Sequence, residues 1–217
     1  MTAYDWTGFY VGGHAGWAWA RTDWFDPIAG VEAVSISSDG FIGGGQAGFN
    51  WQAGPWLLGI EGDASWSHLQ KGIIAILIGF APQQTRLGTT VENLGSVAGR
   101  FGYAWGQWLA YGRAGAAWAH DLHRIFNAAT PAEVLIASAT ETRLGWTIGG
   151  GLEYGLAPNW SVKVEYDFMD LGSERISFFT GAAAGLPPVL PLDVKQNIHL
   201  VKLGVNYRFG GPVYARY

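Results

Sequence analysis

The sequence has no cysteine, few charged residues and no long hydrophobic run. The absence of cysteine excludes disulfides, thiolate metal sites and cysteine nucleophiles. Charged residues make up only 14% of the chain, whereas roughly 25% are charged in a typical soluble domain. The longest apolar stretch, Ile73–Phe80, is far shorter than the roughly 20 residues of a membrane-spanning helix. The net charge of −4 provides no basic footprint, so nucleic acid is not an expected partner.

The start of the sequence lacks a secretion signal. Met1–Asp5 contains neither the basic nor the apolar region of a signal peptide. If the protein is exported, which the lack of cysteine fits, we expect its signal peptide to have been removed. We then expect that Met1 is not the native start.

The residues that are present favour membrane-spanning strands. Hydrophobic residues make up 49% of the chain, and alternating strands that face lipid can hide this apolar surface without a helix. The alternation is clearest from residue 160 to residue 170. One face there carries Trp160, Val162, Val164, Tyr166 and Phe168, and the other carries Ser161, Lys163, Glu165, Asp167 and Met169.

Aromatic residues recur at a spacing of ten, which an alternating soluble sandwich would not require. An even spacing puts both members of a pair on one strand face. At ~3.3 Å per residue and a tilt of ~40°, ten residues climb about 25 Å, the height of the apolar band between two aromatic girdles. The residues predicted to form these girdles are Phe9, Trp19, Phe41, Trp51, Trp56, Trp66, Trp108, Trp118 and Trp160.

The spacing of turn residues predicts an all-β fold, an eight-stranded antiparallel transmembrane up-and-down β-barrel. Short links are expected at 53–55, 106–107 and 155–159, and long outer links near 23–39, 72–89, 125–139 and 177–191. We expect one domain over residues 1–217, with both termini and a short tail, 210–217, in the periplasm. The predicted strands are 8–22, 40–52, 56–71, 90–105, 108–124, 140–154, 160–176 and 192–209.

The face opposite the girdles carries charges of both signs. An eight-stranded interior is only wide enough to be filled by side chains, and charges sealed there must be paired. We therefore predict a lumen plugged by salt bridges, although a narrow wet path stays open as an alternative. The predicted network consists of Glu61, Asp63, Arg100, Arg113, Arg143, Glu153, Lys163, Glu165, Asp167, Lys202 and Arg208, with His14, Gln46, Asn50 and Asn206 also facing inward.

Motifs that could carry chemistry are weak. The pairs Glu61/Asp63 and Glu165/Asp167 stand two apart on one strand face, as any polar interior would place them. His120, Asp121, His123 and His68 could suggest a metal site or a hydrolase relay, but His120 and Asp121 point to opposite faces and no nucleophile motif accompanies them. The glycine triplets 43–45 and 149–151 lie within strands and provide curvature or room for bulky neighbours. We expect no catalytic residue, metal or cofactor.

Two predicted outer loops are unusually apolar. Residues 73–80, including Ile74, Ile76, Ile78 and Phe80, are hydrophobic for a solvated loop, and so are residues 185–191. Such surfaces often mark contacts. The loops either pack on one another as a cap or bind another copy, lipopolysaccharide or another surface protein.

The strand sequences resemble the alphaproteobacterial outer-membrane immunogenic proteins, small porin-like barrels of OmpA/OmpX-like architecture. The resemblance rests on residues 6–13 (WTGFYVGG), 54–63 (GPWLLGIEGD), 99–104 (GRFGYA), 149–154 (GGGLEY), 160–166 (WSVKVEY) and the aromatic close 205–209 (VNYRF). It covers nearly the whole chain except the loops. It implies eight strands, a role at the surface or in envelope stability, antigenicity and no catalytic residues. Some members are described as porins or haem binders, but this sequence has no haem-type cluster on one face.

The sequence leaves four functions open. The first is a structural barrel in the outer membrane of a Gram-negative bacterium, in contact with outer-membrane lipid and lipopolysaccharide. The second is a narrow pore for small solutes. The third is an outer-membrane enzyme acting on lipid A or phospholipids with His120 or His123 as its base, and the last is a soluble ligand-carrying barrel.

Overall fold

The computed structural model describes residues 4–26, 31–75, 85–127, 134–179 and 189–209. These residues form eight antiparallel strands, and among them no helix is long and apolar enough to cross a membrane. The strands are β1 (Gly8–Asp26), β2 (Val31–Ala53), β3 (Trp56–Ala75), β4 (Thr85–Trp105), β5 (Trp108–Asn127), β6 (Val134–Ala157), β7 (Trp160–Phe179) and β8 (Val189–Phe209).

The eight strands close into a barrel in sequence order, because β1 pairs with both β2 and β8. This confirms the predicted fold class. Three links are tight turns, and Gly54 and Gly106 in two of them have φ of 61° and 59°, a backbone conformation that favours glycine. We call the end of the barrel that carries these turns the turn end, and the opposite end the far end.

The strands are longer at the far end than the sequence predicted. β1 continues to Asp26 rather than residue 22, β2 begins at Val31 rather than residue 40, and β6 begins at Val134 rather than residue 140. The predicted long links were therefore wrong in their bounds. The girdle spacing marks only the part of a strand that faces lipid, whereas backbone pairing continues beyond it.

Two of the eight pairings stop early, on opposite sides of the barrel. β2 and β3 pair only from the turn out to Ile42 opposite Ser67, and β6 and β7 only out to Trp146 opposite Asp170. All other neighbours stay paired toward the far end. The described strands therefore leave the barrel as two four-stranded sheets, β7-β8-β1-β2 and β3-β4-β5-β6, separated by two open seams.

Alternate residues of each strand point outward, and the large outward side chains are exposed. Trp66 is 69% exposed and Phe9 67%. The nine aromatic residues predicted for the girdles all lie on this outward face. Trp118 is half-buried because its ring lies over Gly95, where a Cβ would collide with it.

Candidate functional site

The centre of the lumen is a network of buried charges built from five strands. Glu61 on β3 receives contacts from three cations: Lys163 Nζ at 3.0 Å, Arg113 Nη1 at 3.0 Å and Arg100 Nη1 at 3.3 Å. Glu165 on β7 receives Lys202 Nζ and Arg113 Nη1, both at 2.8 Å. All of these side chains are at most 1% exposed. Because they are sealed from water, each charge depends on its partners.

Two aspartates extend the network toward the far end. Asp63 Oδ1 lies 2.6 Å from Arg113 Nη2, and its Oδ2 lies 3.7 Å from Lys202 Nζ. Asp167 Oδ2 lies 2.6 Å from Lys202 Nζ and 3.8 Å from Arg113 Nη1. Arg113 therefore contacts four carboxylates, including Glu61 and Glu165, more than any other described cation of the lumen.

Toward the turn end, the network continues through Arg100 and Glu153. Arg100 Nη2 contacts Glu153 Oε2 at 3.0 Å, and the Arg100 guanidinium lies 3.9 Å from the centre of the Tyr111 ring. Glu153 Oε1 also accepts hydrogen bonds from Ser161 and from Asn206 Nδ2. Arg100 is thus paired on one side and stacked on the other.

Neutral hydroxyls complete the network, and the sequence analysis did not include them. Tyr10 donates to Glu61 at 2.7 Å, Tyr111 donates to Glu165 at 2.6 Å, and Ser96 donates to Asp63. Each lies on the inward face of its strand, so strand parity could have found it. These donors matter because a buried carboxylate oxygen that lacks a hydrogen-bond partner costs free energy.

The central network has one more carboxylate than it has cations. Its acids are Glu61, Asp63, Glu153, Glu165 and Asp167, and its cations are Arg100, Arg113, Lys163 and Lys202. Four of the acids also accept a hydrogen bond from a neutral side chain, whereas Asp167 contacts only cations among the described residues. Asp167 is therefore the least satisfied acid of the five.

Apolar clusters lie inside the lumen on both sides of the charged network. The far cluster consists of Ala18, Ala20, Ile42, Leu94, Ala117, Ala119, Met169, Leu171, Ile198 and Leu200, none more than 3% exposed. The turn-end cluster consists of Trp6, Leu57, Leu109 and Tyr111, with Tyr4 and Ala104 packed against it. The inward face is therefore not polar throughout, because two apolar layers interrupt it.

The segment before β1 crosses the turn end and forms part of that cluster. Trp6, 3% exposed, is held by a hydrogen bond from its backbone N–H to Gln52 Oε1 at 2.8 Å. The Tyr4 backbone N–H donates to the carbonyl of Gly106 at 3.2 Å, in the β4–β5 turn across the mouth of the turn end. Burial raises the pKa of the Tyr4 phenol, against the lowering effect of nearby Arg208. We call residues 4–7 the strap.

Two predicted members of the network lie apart from its centre. Arg208, one residue from the end of β8, donates to the Pro158 carbonyl at 2.7 Å and covers the Tyr4 ring at 4.6 Å. Arg143 lies beyond the far apolar cluster, where it donates to Gln196 Oε1 at 3.1 Å and to the Val194 carbonyl. The two arginines share the inward face with the central network but lie at other heights along the barrel axis, which strand parity does not specify.

The histidines do not form a metal or catalytic cluster among the described residues. His14, inside the lumen, lies 2.6 Å from Gln46 Oε1 and 2.7 Å from Ser65 Oγ. His120 faces outward, with Nδ1 3.0 Å from Thr142 Oγ1. In the described part of the chain no group of three or more His, Asp or Glu could hold a metal ion. The side chains of His68, Asp121 and His123 lie outside the description.

The predicted outer-loop contact can be placed only in part. Ile74 belongs to β3, where it stands opposite Arg86 of β4, so its assignment to a loop was wrong. The pairing of β3 with β4 continues beyond the part of the strand that faces lipid. The hydrophobic run 73–80 does not alternate, so nothing in the sequence indicated that β3 extends into it. Ile76, Ile78 and Phe80 lie outside the described residues, as does the tail 210–217.

Comparison with known proteins identifies the family. The family described as outer membrane protein beta-barrel domain matches residues 1–209. The chain belongs to this family. It is a protein of the Gram-negative outer membrane, as the sequence predicted. In such barrels the short turns lie in the periplasm, so the turn end is the periplasmic end.

Relatives of known sequence agree with this assignment. The 31 kDa outer-membrane immunogenic protein of Brucella melitensis is 33% identical over 96% of this chain and 86% of the relative. This confirms the resemblance seen in the sequence.

Two solved structures resemble this chain in fold but not in sequence. OprG of Pseudomonas aeruginosa, with a TM-score of 0.55 and 13% identity, is covered over 97% of its chain and 94% of this one. The outer membrane protease OmpT of Escherichia coli has a TM-score of 0.59 at 9% identity and covers 96% of this chain and 99% of its own.

Proposed function

We propose that this outer-membrane barrel has a structural role at the cell surface and that its lumen is closed to solutes. The observation that carries the proposal is the stacking of three layers inside the barrel: an apolar far cluster, the charged network, and an apolar turn-end cluster with the strap. A hydrated solute would have to displace both apolar layers and break ion pairs that have no water to replace them.

Single-channel recording distinguishes a closed lumen from the alternative, a narrow pore. Purified protein in planar bilayers should give no stable unitary conductance, while a known porin added to the same membrane should. Folding of the sample is checked by its heat-dependent shift in electrophoresis. Stable unitary steps in the wild type, with a size that changes in Glu61→Gln, would place the current in the lumen and overturn the proposal.

If the role is structural, loss of the protein should weaken the envelope, and no single catalytic side chain should be needed to restore it. A deletion strain should become more sensitive to detergent and to large antibiotics, and the wild-type gene should restore resistance. A His120→Ala version should restore it equally well, because His120 faces lipid and hydrogen bonds only to Thr142 among described residues. Failure of His120→Ala alone, with a changed lipid A or phospholipid, would favour the enzyme.

The surfaces available for partners also support a role at the cell surface. The exposed aromatic rings would contact outer-membrane lipid, with lipopolysaccharide in the outer leaflet. The relative in Brucella melitensis is called immunogenic, and we extend surface exposure to this chain on that basis. Antibodies raised against the purified barrel should bind intact cells; binding only after permeabilisation would contradict surface exposure.

A further inference from the structure

The lipid-facing surface has a hollow on β1, β2 and β3, midway between the two rings of aromatic residues. Neighbouring outward positions on these strands carry nothing larger than a methyl group, while Trp17, Phe41 and Trp66 border the hollow toward the far end. We call this the small-residue patch. It consists of Gly13, Ala15, Gly43, Gly45, Ala47, Gly62 and Ala64.

The glycines of the patch are not required by the packing of the barrel itself. A Cβ added at Gly44, which faces inward, would collide with the Ala64 carbonyl oxygen. At Gly45 the nearest atom to such a Cβ would be 3.5 Å away, and at Gly13 and Gly62 it would be 3.7 and 3.8 Å away. These are ordinary contacts, so the packing of the barrel would accept a larger side chain at these outward positions. In membranes, small residues allow two backbones to approach closely.

The open seam between β2 and β3 begins just beyond the patch. Pairing of the two strands ends at Ile42 opposite Ser67, next to Trp66 in the outer girdle. Beyond this point, within the described strands, residues 31–41 and 68–75 have one backbone edge each that no neighbouring strand covers. Unpaired edges of this kind are templates for pairing with another chain.

No other side of the barrel combines both features in the described residues. The second seam, between β6 and β7, lies above Ile148, Val164 and Tyr166, which are bulky and keep a neighbour away. The β4–β5 face also has small outward residues, Gly99 and Gly112, but its strands stay paired out to Thr85 opposite Asn127. Within the part of the chain that the structure describes, the β2–β3 side alone offers close approach in the membrane and free edges beyond it.

We propose that the β2–β3 side is the interface between two copies of this chain, related by a two-fold axis along the membrane normal. All copies insert with the same orientation, so this symmetry brings β2 of one copy opposite β3 of the other and closes the assembly. By sequence, residues 31–41 contain two acidic residues and no basic one, and residues 68–75 contain a lysine and a histidine and no acidic one. The two segments that this symmetry brings together therefore carry opposite formal charges. The proposal does not depend on whether the lumen conducts.

The absence of cysteine allows a direct test by cross-linking in native outer membranes. Ala64→Cys, in the patch, should give an oxidised dimer with a yield about tenfold above that of Ala114→Cys, because only the first pair of thiols is held close. Ala114 is the matched control, an exposed alanine on the lipid-facing side of β5. Equal yields for the two variants, or no dimer from Ala64→Cys and Ala47→Cys, would overturn the proposal in favour of a lipid-filled hollow.

Filling the hollow provides an independent test that does not require a thiol. Wild-type protein treated with an amine-reactive cross-linker should give a dimer. The double variant Gly45→Leu with Gly62→Leu should not give this dimer, although it should still show the heat-dependent electrophoretic shift of a folded barrel. The control, Gly99→Leu with Gly112→Leu, fills small positions on the β4–β5 face and should leave the dimer intact. A dimer that survives the first pair of substitutions, or is lost with the second, would contradict the assigned interface.

Discussion

Lys163 on β7 reaches across the lumen to Glu61 on β3, with its Nζ 3.0 Å from each carboxylate oxygen. The two strands are four apart in a ring of eight, so this ion pair joins opposite walls of the barrel. Backbone hydrogen bonds connect only adjacent strands. Contacts of this kind therefore give the interior a fixed arrangement that the backbone ladder alone does not specify.

Glu61→Gln should be strongly destabilising. The substitution leaves Arg100, Arg113 and Lys163 short of a buried partner, and breaking a buried pair from one side costs about 3–5 kcal/mol. The measurement is the free energy of unfolding in urea, in vesicles, followed by tryptophan fluorescence. A loss below about 1 kcal/mol, the worth of an exposed ion pair, would mean that water enters the network.

Asp167→Asn provides the matched comparison and should cost less than half as much. It removes a negative charge from a network with five carboxylates and four cations, and Asp167 has no neutral donor to lose among the described residues. Lys202 and Arg113 keep their contacts with Glu165 and Asp63. If Asp167→Asn proved as costly as Glu61→Gln under the same conditions, the excess of acid would have no energetic meaning.

Strand parity explains how much of this interior the sequence could predict. Once the aromatic positions are taken as outward, the neighbours of Trp160 and Trp66 are inward, and Lys163 and Glu61 follow. The side chain alternates with a period of two, so one assigned residue determines the face of a whole strand. Which inward residues meet also depends on register and height, and these depend on the closed barrel.

The apolar clusters and the strap show where that reasoning ends. Strand parity places Leu200 on the inward face with Lys202, but only the closed fold shows that apolar inward residues gather into a layer at one height of the lumen. Trp6 lies before the first strand, where alternation has no meaning, and its partner Gln52 is distant in sequence. The strand ends beyond the girdles were missed for a similar reason, because backbone pairing there carries no apolar pattern.

Trp6→Ala should unfold the turn end of the barrel more readily. The indole is packed with Leu57 and Leu109, and truncating a buried Trp costs about 3–5 kcal/mol through lost burial and the cavity left behind. Trp51→Ala is the control, since that ring is 55% exposed at the girdle and leaves no cavity in the lumen. The urea midpoints of both variants decide the matter. Equal shifts would show that the strap contributes no packing energy.

Leu200→Ala should likewise cost about 2–5 kcal/mol, the range for truncating a buried leucine. Leu203 on the same strand is 66% exposed to lipid, and Leu203→Ala should cost less because lipid chains fill the vacated space. The same unfolding measurement compares the two. The reverse order would mean that the far cluster is loosely packed and is a poor barrier in the lumen.

Gly44→Ala and Gly45→Ala separate the two roles of glycine in adjacent residues of β2. A Cβ added at Gly44 points inward and would collide with the Ala64 carbonyl oxygen, so the strand must shift, and overpacking of this kind costs about 1–3 kcal/mol. A Cβ added at Gly45 meets nothing closer than 3.5 Å. Replacing glycine there should be neutral or stabilise the strand by about 0.5–1 kcal/mol. Urea unfolding of the two variants in vesicles, under conditions where the protein is monomeric, measures the difference. If Gly45→Ala is destabilising by as much as Gly44→Ala, the outward glycines are needed by the barrel itself.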